Sequence, residues 1–197
     1  MNLQAEQLER YLAWVKQDGG VEPPVQIDTV LLPHQQARIR WVKEHVTGTI
    51  LECGCNWGYL LAWVGGHAGV DINPRLIDLA RSLARNREFI VGDIRALPYG
   101  NKSFDTVVLS ECLEHIPWED VPTALGEAVR VARRKVLVTI PTWDTNRQDS
   151  ENFKHQWVLT PDRVSAIRAI FETAVPLLSN VSKGGGPDLF HCLEVRL

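Results

Sequence analysis

One short stretch, residues 49–58 with the sequence TILECGCNWG, most restricts how this chain can fold. It reads as an apolar strand that ends at Glu52, then a tight turn with glycines at positions 54 and 58, and then an apolar helix over about 57–64. A strand that leads through a glycine-rich turn into a helix is typical of nucleotide-type sites in α/β proteins, because glycine lets the backbone approach a ligand closely. The same residues also fit an ordinary strand, turn and helix of a parallel sheet, and both interpretations stay open at this point.

The residues of the turn favour one kind of ligand over another. A dinucleotide fingerprint has the spacing G-x-G-x-x-G, whereas this turn has E-x-G-x-x-x-G, formed by Glu52, Gly54 and Gly58. A carboxylate at the end of the strand would repel a pyrophosphate, but it suits a ligand with a cationic end, such as the ammonium of an amino acid. The missing third glycine therefore argues against a nicotinamide-dependent reductase.

A second acidic residue, Asp71, ends the next predicted strand. It lies roughly 20 residues after Glu52, the separation at which an acidic side chain meets the hydroxyls of a ribose in strand–helix–strand units. A carboxylate can accept hydrogen bonds from both hydroxyls at once. Asp93 follows the third predicted strand. We therefore expect three acidic residues along the carboxyl edge of one sheet, where open α/β sheets bind ligands.

Predicted strands and helices alternate along most of the chain. Such alternation predicts a parallel sheet with right-handed crossovers, and the glycines before Pro187 predict an antiparallel hairpin between the last two strands. We expect a Rossmann-like α/β fold with a seven-stranded, mostly parallel sheet, a C-terminal antiparallel hairpin and helices on both faces. The predicted strands are 49–52, 67–71, 88–92, 104–109, 135–140, 173–181 and 189–196, and the predicted helices are 2–17, 34–45, 57–64, 74–84, 121–132 and 161–171.

Length and composition narrow the class of protein further. The 197 residues suit a single domain, 1–197, in which N-terminal helices (1–46) cap the sheet or the pocket and a polar loop at 142–160 is a candidate lid or substrate loop. A net charge of −3 argues against nucleic acid as the main partner. The chain has no apolar run of roughly 20 residues and no secretory signal, so we expect no membrane span and a cytoplasmic location. The four cysteines form no C-x-x-C pair, and no metal site is predicted from them.

Five motifs, in the same order as in a known family, carry a resemblance over residues 50–141. In this region the sequence resembles the small bacterial type 11 group of class I S-adenosylmethionine-dependent methyltransferases. The resemblance implies the corresponding fold, S-adenosylmethionine as the cofactor and a small-molecule methyl acceptor as the partner. Trp57 departs from the family pattern, because a smaller or polar residue is commoner in that turn. The motifs are residues 50–58, 69–72, 92–94 with 97–98, 104–108 and 111–116.

The resemblance also implies which residues contact the cofactor. The first motif would hold its methionine end, and the two following strand ends would hold its ribose and adenine. The end of the fourth strand would lie below the sulfonium. The expected contacts are Glu52, Gly54, Cys55, Asn56 and Gly58 at the methionine end, Asp71 at the ribose, Ile72, Asp93 and Ile94 at the adenine, and Ser110 and Glu111 below the sulfonium.

Two histidines are candidate general bases for removing a proton from the acceptor. His115 follows the fourth predicted strand, and His155 lies in the polar loop. An imidazole titrates near neutral pH and can take up such a proton. The alternatives are that His115 is a packing or hydrogen-bonding residue and that His155 is a solvated loop residue.

Two functions remain open from the sequence. The first is an enzyme that transfers a methyl group from S-adenosylmethionine to a small molecule by in-line displacement. The fourth strand is followed by Ser110-Glu111-Cys112-Leu113 rather than by the N/D-P-P-Y/F motif of enzymes that methylate amino groups of bases or glutamine. The second is a protein that binds S-adenosylmethionine without turnover and acts as a regulator or subunit. The sequence specifies neither the accepting atom nor the oligomeric state.

Overall fold

The computed structural model describes residues 32–142, 155–174, 182–184 and 190–197, and all structural statements refer to these ranges. The predicted helix at 2–17 and residues 143–154 of the polar loop lie outside them. The helices are α1 (Pro33–His45), α2 (Tyr59–Val64), α3 (Pro74–Leu83), α4 (Val121–Val131) and α5 (Pro161–Ala174), with two 3₁₀ turns at Leu113–His115 and Trp118–Asp120. The strands are β1 (Ile50–Cys53), β2 (Ala68–Asp71), β3 (Glu88–Val91), β4 (Phe104–Ser110), β5 (Ala132–Pro141), β6 (Ser182–Gly184) and β7 (Phe190–Arg196).

Seven strands form one sheet in the order β3-β2-β1-β4-β5-β7-β6. The pairs β1–β2, β2–β3, β1–β4 and β4–β5 are parallel. Strand β7 runs antiparallel to both β5 and β6. This topology confirms the predicted fold class, including the antiparallel C-terminal pair.

Helices cover both faces of the sheet, because side chains of successive strand residues point to opposite faces. On one face, Leu51 of β1 belongs to a buried cluster with residues of α4 and α5, such as Leu125 and Ile167. On the other face, the neighbouring Ile50 belongs to a cluster with residues of α1, α2 and α3. Both faces of the central strands are therefore buried, as expected for parallel strands between two helical layers.

The predicted start of one strand is wrong. The strand predicted at 173–181 overlaps α5, which continues to Ala174, and residues 175–181 lie outside the described ranges. The strand that pairs with β7 is Ser182–Gly184. Ile167 and Phe171 are both buried, so the apolar face of α5 continues beyond the predicted helix end. Alanine at 174 extends the helix readily, and Pro176 is the first residue that opposes it.

The first turn of the sheet also differs slightly from its prediction. Helix α2 begins at Tyr59 rather than near Trp57, because Gly58 has a φ of 79° and cannot belong to a right-handed helix. The turn before α2 is therefore longer than predicted. Within the described ranges, no helix has the length and apolar character that crossing a bilayer requires.

A polar cluster around Asp105 joins the amino ends of three strands. Its Oδ2 accepts hydrogen bonds from the Thr49 backbone N–H at 2.9 Å and from the Thr49 hydroxyl at 3.1 Å. Its Oδ1 pairs with Arg133 at 2.8 Å. These hydrogen bonds, followed by the Arg133 charge, lower the pKa of the Asp105 carboxyl to about 2. The cluster fixes the chain before β1 against the starts of β4 and β5.

We expect Asp105→Asn to lower the urea midpoint of unfolding at pH 7, and we expect this difference to shrink as the pH falls from about 4 toward 2. A carboxyl group whose pKa is depressed in the folded state adds stability above its unfolded pKa, and that stability is lost as the pH falls through the folded pKa. Urea titrations at several pH values measure the difference, with the exposed Glu44→Gln as control. A difference between Asp105→Asn and the wild type that does not change with pH would contradict this account.

Candidate active site

The turn between β1 and α2 folds tightly over the end of β2. The backbone N–H groups of Gly54 and Cys55 both donate to the carbonyl of Val70, at 2.8 and 3.0 Å. Gly54 has a φ of 71°, and a Cβ on it would lie 2.5 Å from the Cβ of Cys112. The glycine is therefore required both by backbone conformation and by the close approach of the β4 end.

Asp71 fastens this turn to the end of β2. Its Oδ2 accepts a hydrogen bond from the Asn56 backbone N–H at 2.8 Å, and its Oδ1 accepts one from the Asn73 backbone N–H at 2.9 Å. Burial raises the pKa of the Asp71 carboxyl, and these backbone donors oppose the increase. The next residue, Ile72, leaves 68% of its surface exposed, which is unusual for a large apolar side chain. The sequence-predicted neighbours Asn56, Asp71 and Ile72 thus lie together at one edge of the sheet.

Glu52 is a buried acid at the end of β1. Its residue is 2% exposed, and its Oε2 has no hydrogen-bond partner among the described residues. Burial raises the pKa of the Glu52 carboxyl well above its usual range, although the positive charge of Arg38 opposes this. A buried polar atom without a partner costs free energy, and a donor from a ligand would remove that cost.

Arg38 of α1 is a site residue that the sequence analysis missed. Its guanidinium is buried, donates to the hydroxyl of Ser110 and lies 3.2 Å from the hydroxyl of Tyr59. It also interacts electrostatically with Glu52 and Glu111. Arg38 lies three and four residues before the buried Trp41 and Val42, so the helical spacing placed it on the buried face. That spacing was the signal available in the sequence.

The end of β4 is held by hydrogen bonds to β5. The hydroxyls of Ser110 and Thr139 are 2.8 Å apart, and the Glu111 backbone N–H donates to the Thr139 carbonyl at 3.0 Å. Glu111 has a φ of 55°, which few residues other than glycine adopt. Burial raises the pKa of its carboxyl, and Arg38 opposes the increase. With this backbone conformation the chain leaves β4 at Glu111, at the same edge of the sheet at which Glu52 lies near the end of β1.

Asp93 and Ile94, which follow β3, have surroundings different from those of Asp71. The Asp93 carboxylate pairs with the guanidinium of Arg95 at 2.6 Å, and Arg95 also pairs with Asp120 at 2.6 Å. The hydrogen bonds from Arg95 lower the pKa of the Asp93 carboxyl. Ile94 is buried in the core. Asp93 therefore reaches the predicted edge with its carboxylate already bound by a neighbouring side chain.

The two candidate bases, His115 and His155, lie next to each other although they are far apart in the sequence. Their ring centroids are 5.1 Å apart, and the planes are inclined at 76°. His115 ends the 3₁₀ turn after β4, and the residue after His155 donates its backbone N–H to the carbonyl of Glu114 at 2.8 Å. The sequence analysis selected both histidines but gave no reason to place them together, and it did not select Glu114.

Comparisons with known proteins agree with the fold and the motifs. A family model described as a methyltransferase domain matches residues 51–140. A ubiquinone biosynthesis O-methyltransferase of Coxiella burnetii is 30% identical over 128 residues, which cover 59% of this chain and 53% of that relative. A phthiotriol/phenolphthiotriol dimycocerosates methyltransferase of Mycobacterium leprae is 37% identical over 95 residues, 43% of this chain and 33% of the relative. The chain thus spans about half the length of the first of these relatives and about a third of the length of the second.

Solved structures resemble this chain in fold. A Thermotoga maritima protein described as a possible histamine N-methyltransferase has a TM-score of 0.67 and 18% identity, and the match covers 95% of this chain and 98% of the other. Magnesium protoporphyrin IX methyltransferase of Synechocystis, solved with bound S-adenosylmethionine, has a TM-score of 0.60 and 19% identity, with 83% and 78% covered. At these identities the likeness concerns the fold alone.

Gly54 and Gly65 have similar backbone angles but different surroundings. Comparing their alanine variants measures how much the close packing of Gly54 against Cys112 contributes to the free energy of unfolding. Gly65 has a φ of 74°, and a Cβ added to it would have no atom within 4 Å, whereas a Cβ on Gly54 would collide with Cys112. We expect Gly65→Ala to lower the free energy of unfolding by about 1 kcal/mol, from backbone strain alone. We expect Gly54→Ala to lower it by at least about 2 kcal/mol, because overpacking adds to the strain. Urea unfolding of both variants measures the difference, and equal losses would show that the approach to Cys112 is unimportant.

The contribution of the buried Arg38 guanidinium to the free energy of unfolding can also be measured with a pair of variants. We expect Arg38→Met to lower the free energy of unfolding by about 3 kcal/mol, because removal of one partner leaves buried carboxylates without a compensating charge. Arg40→Met on the exposed side of the same helix is the control and should change stability by less than about 0.5 kcal/mol. Similar losses in the two variants would contradict the assignment of Arg38 as the cation of this site.

Proposed function

We infer that this chain belongs to the type 11 group of class I S-adenosylmethionine-dependent methyltransferases, and we propose that it transfers the methyl group of S-adenosylmethionine to a small-molecule acceptor. The observation that carries the proposal is the arrangement at the carboxyl edge of the sheet. There, the buried Glu52, the tight turn at Gly54 and the carboxylate of Asp71 lie side by side at the ends of neighbouring strands. A cationic amino acid joined to a nucleoside matches this order of groups.

At the methionine end, Glu52 and the turn of Gly54, Cys55, Asn56 and Gly58 would hold the amino acid part of the cofactor. The free Oε2 of Glu52 is a suitable acceptor for the ammonium group, directly or through water. The buried charge of the acid would then be compensated by the ligand.

At the nucleoside end, Asp71 would bind the ribose and Ile72 would pack on the adenine. The Asp71 carboxylate accepts hydrogen bonds from the backbone N–H groups of Asn56 and Asn73. A carboxylate has about four acceptor positions, so it can also accept from the ribose hydroxyls. The large exposed surface of Ile72 would be covered by the adenine ring. Asp93 would receive the adenine amino group in competition with Arg95, and the backbone of Ile94 would complete the contact.

The reaction would be an in-line displacement at the methyl carbon, below which Ser110 and Glu111 would lie. A bond forms between the acceptor atom and the carbon while the carbon–sulfur bond breaks, and its electron pair neutralises the sulfonium. Holding the two reactants close and aligned lowers the barrier without a dedicated base, by up to about 7–11 kcal/mol in ideal cases. For a hydroxyl acceptor, and with no metal ion bound, His115 or His155 would accept the released proton, directly or through water.

Small molecules are the favoured class of acceptor. The relatives named as methyltransferases of ubiquinone biosynthesis and of norajmaline act, by their names, on oxygen and on nitrogen respectively. The net charge of −3 gives no reason to expect a nucleic acid. The accepting atom is therefore left to an acceptor screen.

Calorimetry with S-adenosylmethionine and S-adenosylhomocysteine, followed by an acceptor screen that detects S-adenosylhomocysteine, tests the proposal. We expect saturable binding of both compounds and acceptor-dependent formation of product. Binding without product from any acceptor would instead support a regulatory or subunit role. Failure to bind either compound would overturn the proposal as a whole.

We expect Asp71→Asn to weaken S-adenosylmethionine binding by about 10–100-fold, because a charge-assisted hydrogen bond contributes about 1.5–3 kcal/mol. The control is Asp78→Asn, an exposed aspartate on α3 that should bind as the wild type does. Circular dichroism of both variants verifies the fold. Unchanged affinity in folded Asp71→Asn would exclude this carboxylate from the ribose site.

A further inference from the structure

We propose that Glu114, His115 and His155 bind a divalent first-row transition-metal ion beside the methyl-transfer site. Each residue offers one ligand atom, and these atoms all lie within 4.8 Å of one another. Two imidazole nitrogens and one carboxylate oxygen form a donor set that suits Mn²⁺, Fe²⁺, Co²⁺ or Zn²⁺ and leaves coordination positions open for another molecule. The set is distinct from the residues assigned to the cofactor.

The burial of Glu114 is the independent observation that points to a cation. Glu114 is 1% exposed, and neither of its carboxylate oxygens has a hydrogen-bond partner in any other described residue. Its neighbour Glu111 adds a second negative charge. A buried carboxylate in such surroundings is strongly destabilising unless it is neutralised or paired. A bound metal ion would supply both the opposite charge and the missing contacts.

The nearby guanidinium of Arg38 does not fill this role. Its charge acts on Glu114 from a distance. Its hydrogen bonds, however, go to Gln35, Ser110 and Tyr59. Arg38 therefore donates no hydrogen bond to the carboxylate oxygens of Glu114.

The backbone holds the three ligands in place. Residues 113–115 form a 3₁₀ turn, and the segment after His155 is attached to it and to the next residue by three hydrogen bonds. The Gln156 backbone N–H donates to the Glu114 carbonyl at 2.8 Å, and the Gln156 side chain donates to the His115 carbonyl at 3.0 Å. The indole of the buried Trp157 donates to the Ile116 carbonyl at 3.0 Å. The approach of His155 to the other two residues is thus built into the fold.

The role of the ion rests on the proposed function. Glu114 follows Glu111 at the carboxyl end of β4, so the ion would lie on the acceptor side of the cofactor edge. A metal ion lowers the pKa of an oxygen acid that it binds. An acceptor hydroxyl bound to the ion would lose its proton to water, and its oxygen would form a bond to the methyl carbon as the carbon–sulfur bond breaks. The inferred substrate class is therefore a compound with a hydroxyl group that can bind a metal, and the two histidines act as ligands rather than as bases.

Metal binding can be tested without any acceptor. We expect metal-free protein, prepared by dialysis against a chelator, to bind Mn²⁺ as followed by electron paramagnetic resonance, and to bind Co²⁺ with visible absorption bands. Loss of a residue that only hydrogen-bonds to a metal ligand typically lowers metal affinity by about 10–100-fold, and loss of a ligand itself should cost more. We therefore expect the ligand variants Glu114→Gln and His155→Asn to weaken Mn²⁺ binding by at least about 100-fold.

Matched controls separate the site from general effects. Glu119→Gln and His67→Asn alter residues outside the cluster and should bind Mn²⁺ as the wild type does. If Glu114→Gln fails to fold, His155→Asn carries the test, since its side chain is partly exposed. S-adenosylmethionine affinity of His155→Asn should stay unchanged, so a failure of the metal site is distinguished from a failure of the cofactor assignment. Wild-type protein that binds none of Mn²⁺, Co²⁺ and Zn²⁺, or ligand variants that bind as the wild type does, would overturn the proposal.

Discussion

Burying carboxylates is costly, and the carboxyl edge of this sheet gathers several of them around one buried cation. Glu52, Glu111 and Glu114 all interact electrostatically with Arg38, and burial raises the pKa of each carboxyl. A single guanidinium that also donates to Ser110 cannot satisfy them all. The edge is thus left with acceptor capacity that a ligand or an ion can use. In this view the binding chemistry follows from incomplete charge compensation inside a well-packed fold.

Much of the fold could be predicted from the sequence, because its strands are short apolar runs separated by clear turn residues. The acidic ends of β1 and β2 could be placed at one edge from the alternation of strands and helices alone. The last strands were harder to predict, since no glycine or proline separates Phe171, where the helix was predicted to end, from Ala174, where α5 ends. Arg38 and Glu114 were not predicted as site residues. Both matter because they are buried charged residues, and their burial depends on elements that are distant in sequence.

Asp71 and Asp93 show why a motif does not determine the state of a side chain. Asp71 is the last residue of β2, and Asp93 comes shortly after the end of the neighbouring parallel strand β3, at the same edge of the sheet. Asp71 is bound by backbone N–H groups and has a raised pKa, whereas Asp93 is paired with Arg95 and has a lowered pKa. The sequence motif predicts the position of each carboxylate, but the neighbouring side chain decides whether it is free to receive a ligand.

The cluster around Asp105 lies at the amino ends of the strands, at the pole of the sheet opposite the binding edge. Substitutions separated by the length of a strand and sharing no partners generally have additive effects. Thermal stability, through the Asp105 cluster, and substrate specificity, through the binding edge, can therefore be altered independently in this molecule. A designer could reinforce the Asp105 pole to tolerate heat and then diversify the opposite pole for new acceptors, and natural drift could proceed along the same two separate routes.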